Sequence, residues 1–198
     1  MDRTLNNQGY SKYLNSRTKR GFDIVMCIVL FFPAVAAIAF LGLLLLVKEG
    51  MPILFIQQRT GKNGKVFQMP KFRTLDVRAN PNMPSPKGDD NPLITNAGKL
   101  IRKHRLDELP QLFSVIAGQM SLVGPRPELP HIVATYESVH KKRILAKPGI
   151  TGLWQIMGNH KVAIHQNIKY DLYYLRKASL WLDMKILALT IAFVLKPK

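Results

Sequence analysis

Residues 24–47 read IVMCIVLFFPAVAAIAFLGLLLLV, twenty-four consecutive positions without a charge. At about 1.5 Å per residue, a straight helix of that length reaches about 36 Å, enough to cross the hydrocarbon core of a bilayer. The flanks argue against a simple crossing. Residues 1–20 carry Arg3, Lys12, Arg17, Lys19 and Arg20 against Asp2, and the chain from Lys48 onward carries 24 basic and 10 acidic residues. One crossing would put one of these basic segments on the outer side, against the positive-inside tendency. Pro33 lies in the first half of the run; its ring removes a helix hydrogen bond and crowds the preceding turn. Two readings stay open from these residues. One is a plain span kinked at proline; the other is a re-entrant helix that enters, breaks at Phe32-Pro33 and returns to the same face.

The whole chain of 198 residues has a formal net charge of +17. That balance suits a polyanion: nucleic acid, an anionic leaflet or a phosphorylated substrate. The apolar run favours the last two, and no interleaving of basic and aromatic residues typical of a nucleic-acid reader occurs. The one cysteine, Cys27, lies inside the run. A disulfide within the chain is therefore excluded, which fits a reducing cytoplasmic face. The run is too long and starts too late for a signal peptide, and Lys48-Glu49 follow it instead of a small-residue cleavage site. The expected division is a lead-in and membrane helix over residues 1–48 and a catalytic domain over residues 49–198.

Lys19 and Arg20 are expected at headgroup level. Asp23, one turn on, is expected to pair with one of them near the helix start. Two apolar runs, Ile53 to Ile56 and Lys65 to Met69, flank Gly61-Lys62-Asn63-Gly64 and predict a β-hairpin. Residues 78–96, with four prolines, predict a long loop. Short helices are expected over 97–103 and 109–117, the second ended by Gly118. A further helix is expected within 128–147, an amphipathic one over 165–177 and an apolar one over 179–195. Asp183 and Lys185 argue that this last helix is interfacial or core rather than a second span. The fold class is α+β: a membrane-embedded N-terminal helix, then a small, mostly helical domain with a β-hairpin and amphipathic interfacial helices.

Asp107-Glu108 is the strongest chemical signal. At a helix start, adjacent carboxylates can converge on one site, with Asp107 at N-cap or N1 where the dipole favours an anion. One can then act as a nucleophile and the other hold Mg²⁺, a hard cation that prefers oxygen. An N-cap acid beside a solvated glutamate fits the same two residues. Gly124-Pro125-Arg126-Pro127 is the second signal. Pro125 and Pro127 stiffen the backbone around Arg126, whose planar fork matches phosphate; a proline-rich turn with an exposed arginine fits it too. Lys71 and Arg73 flank Phe72 on a strand and are expected to share one face, towards a cleft or towards solvent. The five histidines show no metal-ligand spacing, and no glycine-rich nucleotide loop occurs.

The motifs fall in a particular order: Lys19-Arg20-x-x-Asp23, the proline-broken run, Gln58-Arg59-x-Gly61-x-x-Gly64-x-x-Phe67, Lys71-Phe72-Arg73-Thr74, Leu106-Asp107-Glu108-Leu109-Pro110-Gln111, Gly124-Pro125-Arg126-Pro127 and Lys147-Pro148-Gly149-Ile150-Thr151-Gly152. Over residues 19 to about 195 that order resembles the bacterial sugar transferases, the monotopic phosphoglycosyl transferases, in their minimal form. The resemblance implies transfer of a phosphosugar from a UDP-sugar to undecaprenyl phosphate, with loss of UMP. This would be the first step of capsule, O-antigen, exopolysaccharide or glycan synthesis. It implies a covalent intermediate on Asp107, Mg²⁺ at Glu108, and phosphate or nucleotide contacts from Arg126, Lys71, Arg73 and Arg102. It also implies a re-entrant helix broken at Pro33, a catalytic domain on the cytoplasmic side of the inner membrane, and membrane lipid and downstream glycosyltransferases as partners.

Two departures from the family pattern stand out. Asn159 follows Gly158 where an arginine is usual, with His160 and Lys161 as nearby substitutes, and His104-Arg105 precedes Leu-Asp-Glu. The C-terminal apolar helix offers a surface for a homo-oligomer. The competing reading is a non-catalytic scaffold that uses its basic faces to bind anionic lipid or a partner protein; under it, total charge rather than Asp107 governs activity.

Overall fold

The computed structural model describes residues 9–80, 83, 86, 91–158 and 163–195. Its longest element is α1, Arg17–Glu49. Ser16 starts it by accepting a hydrogen bond from the Lys19 amide at 3.0 Å, which satisfies one of the orphan donors of the first turn. Gly50, at φ 68°, ends it, and its amide donates to Leu46 O at 3.1 Å.

The helix runs through Pro33 without interruption. The break expected at Phe32-Pro33 is thus absent from the secondary structure. Packing on both sides of the proline accounts for this. Lys19, Asp23 and Cys27 before it, and Ala34, Leu41 and Leu45 after it, are all buried. Their spacing of four and seven residues keeps them on one stripe of the helix. The opposite face is apolar and open: Phe32 is 78%, Phe40 67% and Val47 74% exposed.

A hairpin follows. Strand β1, Leu54–Thr60, pairs antiparallel with β2, Val66–Phe72, from Leu54 opposite Phe72 to Thr60 opposite Val66. The turn closes with Asn63 at φ 56° and Gly64 at φ 80°, as its asparagine and glycine allow. Beyond it come helices α2, Asn96–Lys103, and α3, Gln111–Ile116, joined by a 3-10 turn over Leu106–Glu108.

A second, parallel sheet escaped the sequence reading. Strand β3, Ser121–Val123, pairs with β4, Gly149–Thr151. Three residues are too few to show a period. The helix expected within 128–147 is split into α4, Pro130–Ala134, α5, Ser138–Lys141, and a 3-10 turn over Lys142–Leu145. The chain is extended again at Glu137, which begins α5. Helices α6, Leu153–Met157, α7, Ile168–Lys177, and α8, Leu180–Leu195, complete the fold. α8 is core on one side, with Ile186 fully buried, and apolar but open on the other, with Trp181 74% exposed.

One buried charge cluster ties these pieces together. Lys19 Nζ donates to Asp23 Oδ1 at 3.2 Å, Asp183 Oδ2 at 2.6 Å and Val123 O at 3.2 Å. Tyr13 and Tyr174 also donate to Asp183, at 3.0 and 2.7 Å, and Ser121 Oγ and Leu122 N donate to Asp23. Asp23 therefore pairs with Lys19 as expected, but Lys19 is buried inside the protein rather than set at a surface. Removing one partner of such a cluster strands a charge away from water, which costs about 3–5 kcal/mol. Lys19→Met is accordingly expected to lower the thermal unfolding midpoint of detergent-purified protein by many degrees, whereas Arg17→Met, on an exposed position of the same helix, should shift it little.

Candidate active site

Asp107 and Glu108 lie in the 3-10 turn between α2 and α3. The expectation of a helix start at Asp107 does not hold: α3 begins four residues later, after Pro110. Neighbouring side chains, rather than a helix dipole, set the local field. Arg105 enters the turn at φ 55°, a conformation that costs a non-glycine residue energy and is found where the surroundings enforce it. Its amide donates to Arg102 O at 3.0 Å, and its guanidinium stacks 4.9 Å from the centre of the Phe193 ring on α8.

Two cations converge on one oxygen of Glu108. Lys71, from β2, places Nζ 3.2 Å from Oε1, and Arg126 Nη2 donates to the same oxygen at 2.8 Å. Burial opposes ionisation of Glu108, but Arg126 and Lys71 outweigh it and hold the carboxyl at about 2. Asp107 is pushed the other way. Burial and the adjacent charge of Glu108 raise it above its ordinary 3.8, against the pull of Lys71, Arg102 and Arg126. Its carboxylate accepts no hydrogen bond among the described residues. The two acids are therefore unlike in kind: Glu108 is locked into ion pairs, and Asp107 is left open.

Arg126 owes its position to the backbone around it. Gly124 passes so close to the β4 segment that a methyl group on it would lie 2.4 Å from Lys147 O and 2.9 Å from Gly149 N. Only glycine permits that crossing. Pro125 O accepts from the Gly149 amide at 3.0 Å. Arg59 Nη1 donates to Pro127 O at 3.3 Å, and Arg143 Nη2 to Arg126 O at 2.9 Å. Arg143 is itself held by Asp171, 2.8 Å from its Nε, and by Tyr136 OH, which it reaches at 2.8 Å. Burial and the facing charge of Arg126 lower Arg59 to about 10. Two buried arginines thus grip the carbonyls of the Pro-Arg-Pro segment and leave the Arg126 side chain aimed at Glu108.

Two cavities share this centre. One, of about 80 Å³, lies towards the hairpin against Phe55, Lys71, Phe72 and Leu75. The other, of about 240 Å³, lies towards Arg105, Trp154 and Gln155. Arg102, Asp107, Glu108 and Arg126 line both. Four cations, Lys71, Arg102, Arg105 and Arg126, face two carboxylates, a balance suited to an anionic diphosphate.

Of the residues singled out from sequence, Asp107, Glu108, Lys71, Arg102 and Arg126 come together here. Pro125 and Pro127 act through their carbonyls. Arg73 goes elsewhere: its Nη2 donates to Glu49 O at 2.5 Å and Gly50 O at 3.0 Å, closing the end of α1. Strand β2 stops at Phe72, so the alternation expected for Lys71 and Arg73 is not continued. Lys19, Arg20, Asp23 and Pro33 belong to α1 and line neither cavity. Asn159, His160 and Lys161 lie outside the described residues. Arg105, a departure from the family pattern that adds a cation near Asp107, joins the site; Trp154 and Gln155 join it without having been assigned a role, although they lie just past the Lys147–Gly152 motif, after Leu153. Arg59 and Arg143 support it from behind; Arg143 was hidden in the run His140-Lys141-Lys142-Arg143, where a basic cluster reads as surface.

Among the described residues, no three histidine, cysteine, aspartate or glutamate side chains converge as a metal cage. Adjacent carboxylates beside a cluster of cations fit Mg²⁺, which is commonly held by one or two carboxylates together with substrate phosphates.

The profile of the bacterial sugar transferases matches residues 14–197. The chain belongs to this family. It is 39% identical to the galactosyl transferase CpsE of Streptococcus agalactiae serotype III, over 94% of this chain and 44% of that protein. It is 36% identical to the undecaprenyl-phosphate galactose phosphotransferase of Salmonella typhimurium, over 90% of this chain and 40% of that protein. It is 40% identical to the sugar transferase EpsL of Bacillus subtilis, itself uncharacterized, over 89% of this chain and 87% of that protein. The chain therefore spans less than half the length of the first two relatives and most of the third.

The unlike environments of the two acids can be measured. With carboxyl carbons labelled and followed by NMR, Glu108 should remain ionised at pH 4, while Asp107 takes up its proton above the ordinary aspartate range. In Glu108→Gln the like charge is gone and Lys71 and Arg126 are released, so the Asp107 titration should move to lower pH.

Proposed function

We propose that this protein is a membrane-bound phosphoglycosyl transferase that moves a phosphosugar from a UDP-sugar to undecaprenyl phosphate. The observation that carries the reading is Asp107, a carboxylate free of hydrogen bonds among the described residues, on the shared wall of two cavities and within the field of Lys71, Arg102 and Arg126. In the first step an Asp107 oxygen attacks the sugar-bearing phosphorus. The bond from that phosphorus to the bridging oxygen breaks, and UMP leaves with the oxygen. An acyl phosphate then joins Asp107 to the phosphosugar. In the second step a phosphate oxygen of the polyprenol attacks the same phosphorus, a pyrophosphate bond forms, and the carboxylate is released. Lys71, Arg102 and Arg126 take up the charge that builds on the transferred phosphoryl group, without having to reorganise. Glu108 keeps Lys71 and Arg126 oriented. Mg²⁺, held at Glu108 together with donor phosphates, would supply further charge neutralisation.

The placement of α1, unbroken at Pro33, supports a one-sided seat in the bacterial inner membrane, with the site facing the cytoplasm. Both ends of the helix pack on the same folded unit: Lys19 against Asp183, and Glu49 O against Arg73. Its open face is apolar, and α8 adds exposed Trp181 and Ile191, with Phe193 beside Arg105. A site next to such a surface lets a lipid-bound acceptor and a water-soluble donor meet at one carboxylate. The printed name of the Salmonella relative supports undecaprenyl phosphate as acceptor.

Asp107→Asn should abolish release of UMP from the UDP-sugars the wild-type protein accepts, and acid-quenched wild-type protein should carry one phosphosugar by intact mass. A wild-type rate in the variant would reject the nucleophile and favour the charge-governed scaffold. Topology is tested separately, in a Cys27→Ser background. Single cysteines replacing Lys12, before α1, and Lys103, near the far end of α1 and exposed like Lys12, should react with an impermeant maleimide in inverted vesicles and stay unlabelled in intact spheroplasts. Labelling from opposite sides would establish a crossing helix.

A further inference from the structure

A second cationic site lies at the other end of the hairpin. A cavity of about 220 Å³ opens between the start of α1, the hairpin turn and the segment before β4, and Arg20, Lys62 and Lys147 line it. A neighbouring hollow of about 380 Å³ shares Lys62 and Lys147 and adds Lys65. Neither shares a residue with the two cavities at Asp107.

The cations converge. Arg20 Nη2 and Lys147 Nζ each lie 3.7 Å from the point that a side chain on Gly118 would occupy. Arg20 spends two donors on Val115 O and Ile116 O at the end of α3, at 2.6 and 2.7 Å. Lys62 donates to Asn15 Oδ1, which leaves it two more protons to give. Lys147 Nζ donates to no acceptor among the described residues. Burial lowers Lys147 below the usual lysine range, Arg20, Lys62 and Lys19 add to that, and Asp23 opposes it. Asp23 is the one acid lining the cavity, and its carboxylate is already taken by Lys19, Ser121 and Leu122. Half-buried like charges at this spacing repel one another unless an anion sits between them.

We infer that Arg20, Lys62 and Lys147 form a phosphate-binding site separate from the Asp107 centre. The three donors Arg20 keeps, beside two lysines, suit a phosphate oxygen triad. The phosphate reaches it either as the headgroup of an anionic phospholipid or free in solution. Exposed Ile116 on α3, whose carbonyl accepts from Arg20, suits the acyl part of a lipid. The assignment stands independently of the reading of Asp107.

The test uses the full chain in neutral detergent, with thermal unfolding as readout. Dioctanoyl phosphatidylglycerol, dioctanoyl phosphatidylcholine and inorganic phosphate are titrated separately against sodium chloride of matched ionic strength. The wild-type midpoint should rise with phosphatidylglycerol and not with phosphatidylcholine. A matching rise with inorganic phosphate identifies a site for phosphate whatever carries it, and a rise with phosphatidylglycerol alone identifies a headgroup site. Lys62→Gln/Lys147→Gln should weaken the apparent affinity roughly tenfold or more, since each lost contact is a charge-assisted hydrogen bond. Lys62→Gln alone, on the hairpin turn, should act in the same direction if the double variant does not fold. Lys147→Arg should retain binding. Lys141→Gln/Lys177→Gln, which removes the same charge from exposed positions, should leave affinity unchanged. The site is overturned if wild type responds to neither anion, if the double variant responds as wild type does, or if the Lys141/Lys177 control loses as much.

Discussion

The ammonium group of Lys19 meets both Asp23, on its own helix, and Asp183, on α8, in a region closed to water. An apolar helix has no chemical reason to prefer one domain surface over surrounding lipid, because both are greasy. A buried ion pair does: once the charge is out of water it is stable only where its partners are. This cluster therefore fixes the register and orientation of α1 against the domain. Val123 O accepts from the same ammonium and from Tyr174 OH, so the cluster also reaches β3, the strand that leads into Gly124 and Arg126. The apolar helix α1 and the loop that carries Arg126 are held by one set of hydrogen bonds.

From β3 the constraint passes to the site through backbone contact. Gly124, Gly149 and Gly152 meet at distances that exclude side chains, with a methyl on Gly152 lying 2.2 Å from Gly124 O. Such packing leaves the Pro125-Arg126-Pro127 segment almost no freedom, and Arg59 and Arg143 occupy the carbonyls that could otherwise let it shift. The arginine that pairs with Glu108 is thus part of a stiff frame rather than a mobile surface side chain. A rigid donor costs little ordering entropy when a substrate arrives.

What could be read from sequence divides along physical lines. The hairpin was legible because two apolar runs and a Gly-Lys-Asn-Gly turn are local signals. That Asp107, Glu108 and Arg126 belong together was expected from the order of the motifs and the family it resembles; each motif alone fits an N-cap acid or an exposed turn arginine equally well. The parallel pairing of Ser121–Val123 with Gly149–Thr151 was not legible, since it joins segments far apart in sequence, neither long enough to show a period. Burial of Arg143 and Lys19 was hidden for a related reason. A basic residue in a basic run reads as solvated until its acid, here Asp171 or Asp183, is brought alongside by tertiary structure. The continuity of α1 through Pro33 is likewise tertiary, since packing on either side decides whether a proline kinks a helix or ends it.

The same logic explains why two adjacent carboxylates are useful where one would not be. A lone acid among Lys71, Arg102 and Arg126 would be drawn into an ion pair, and a carboxylate so neutralised and hydrogen-bonded is a poor nucleophile. Glu108 absorbs that attraction by giving one oxygen to both Lys71 and Arg126. Its charge then presses on Asp107, raising the energy of the ionised form and so its basicity. Under the proposed reaction a diphosphate would bring further negative charge, which the excess of positive groups accommodates. Asp107 is therefore the one group at the centre that stays electron-rich and uncommitted, and Glu108 earns its place by keeping it so.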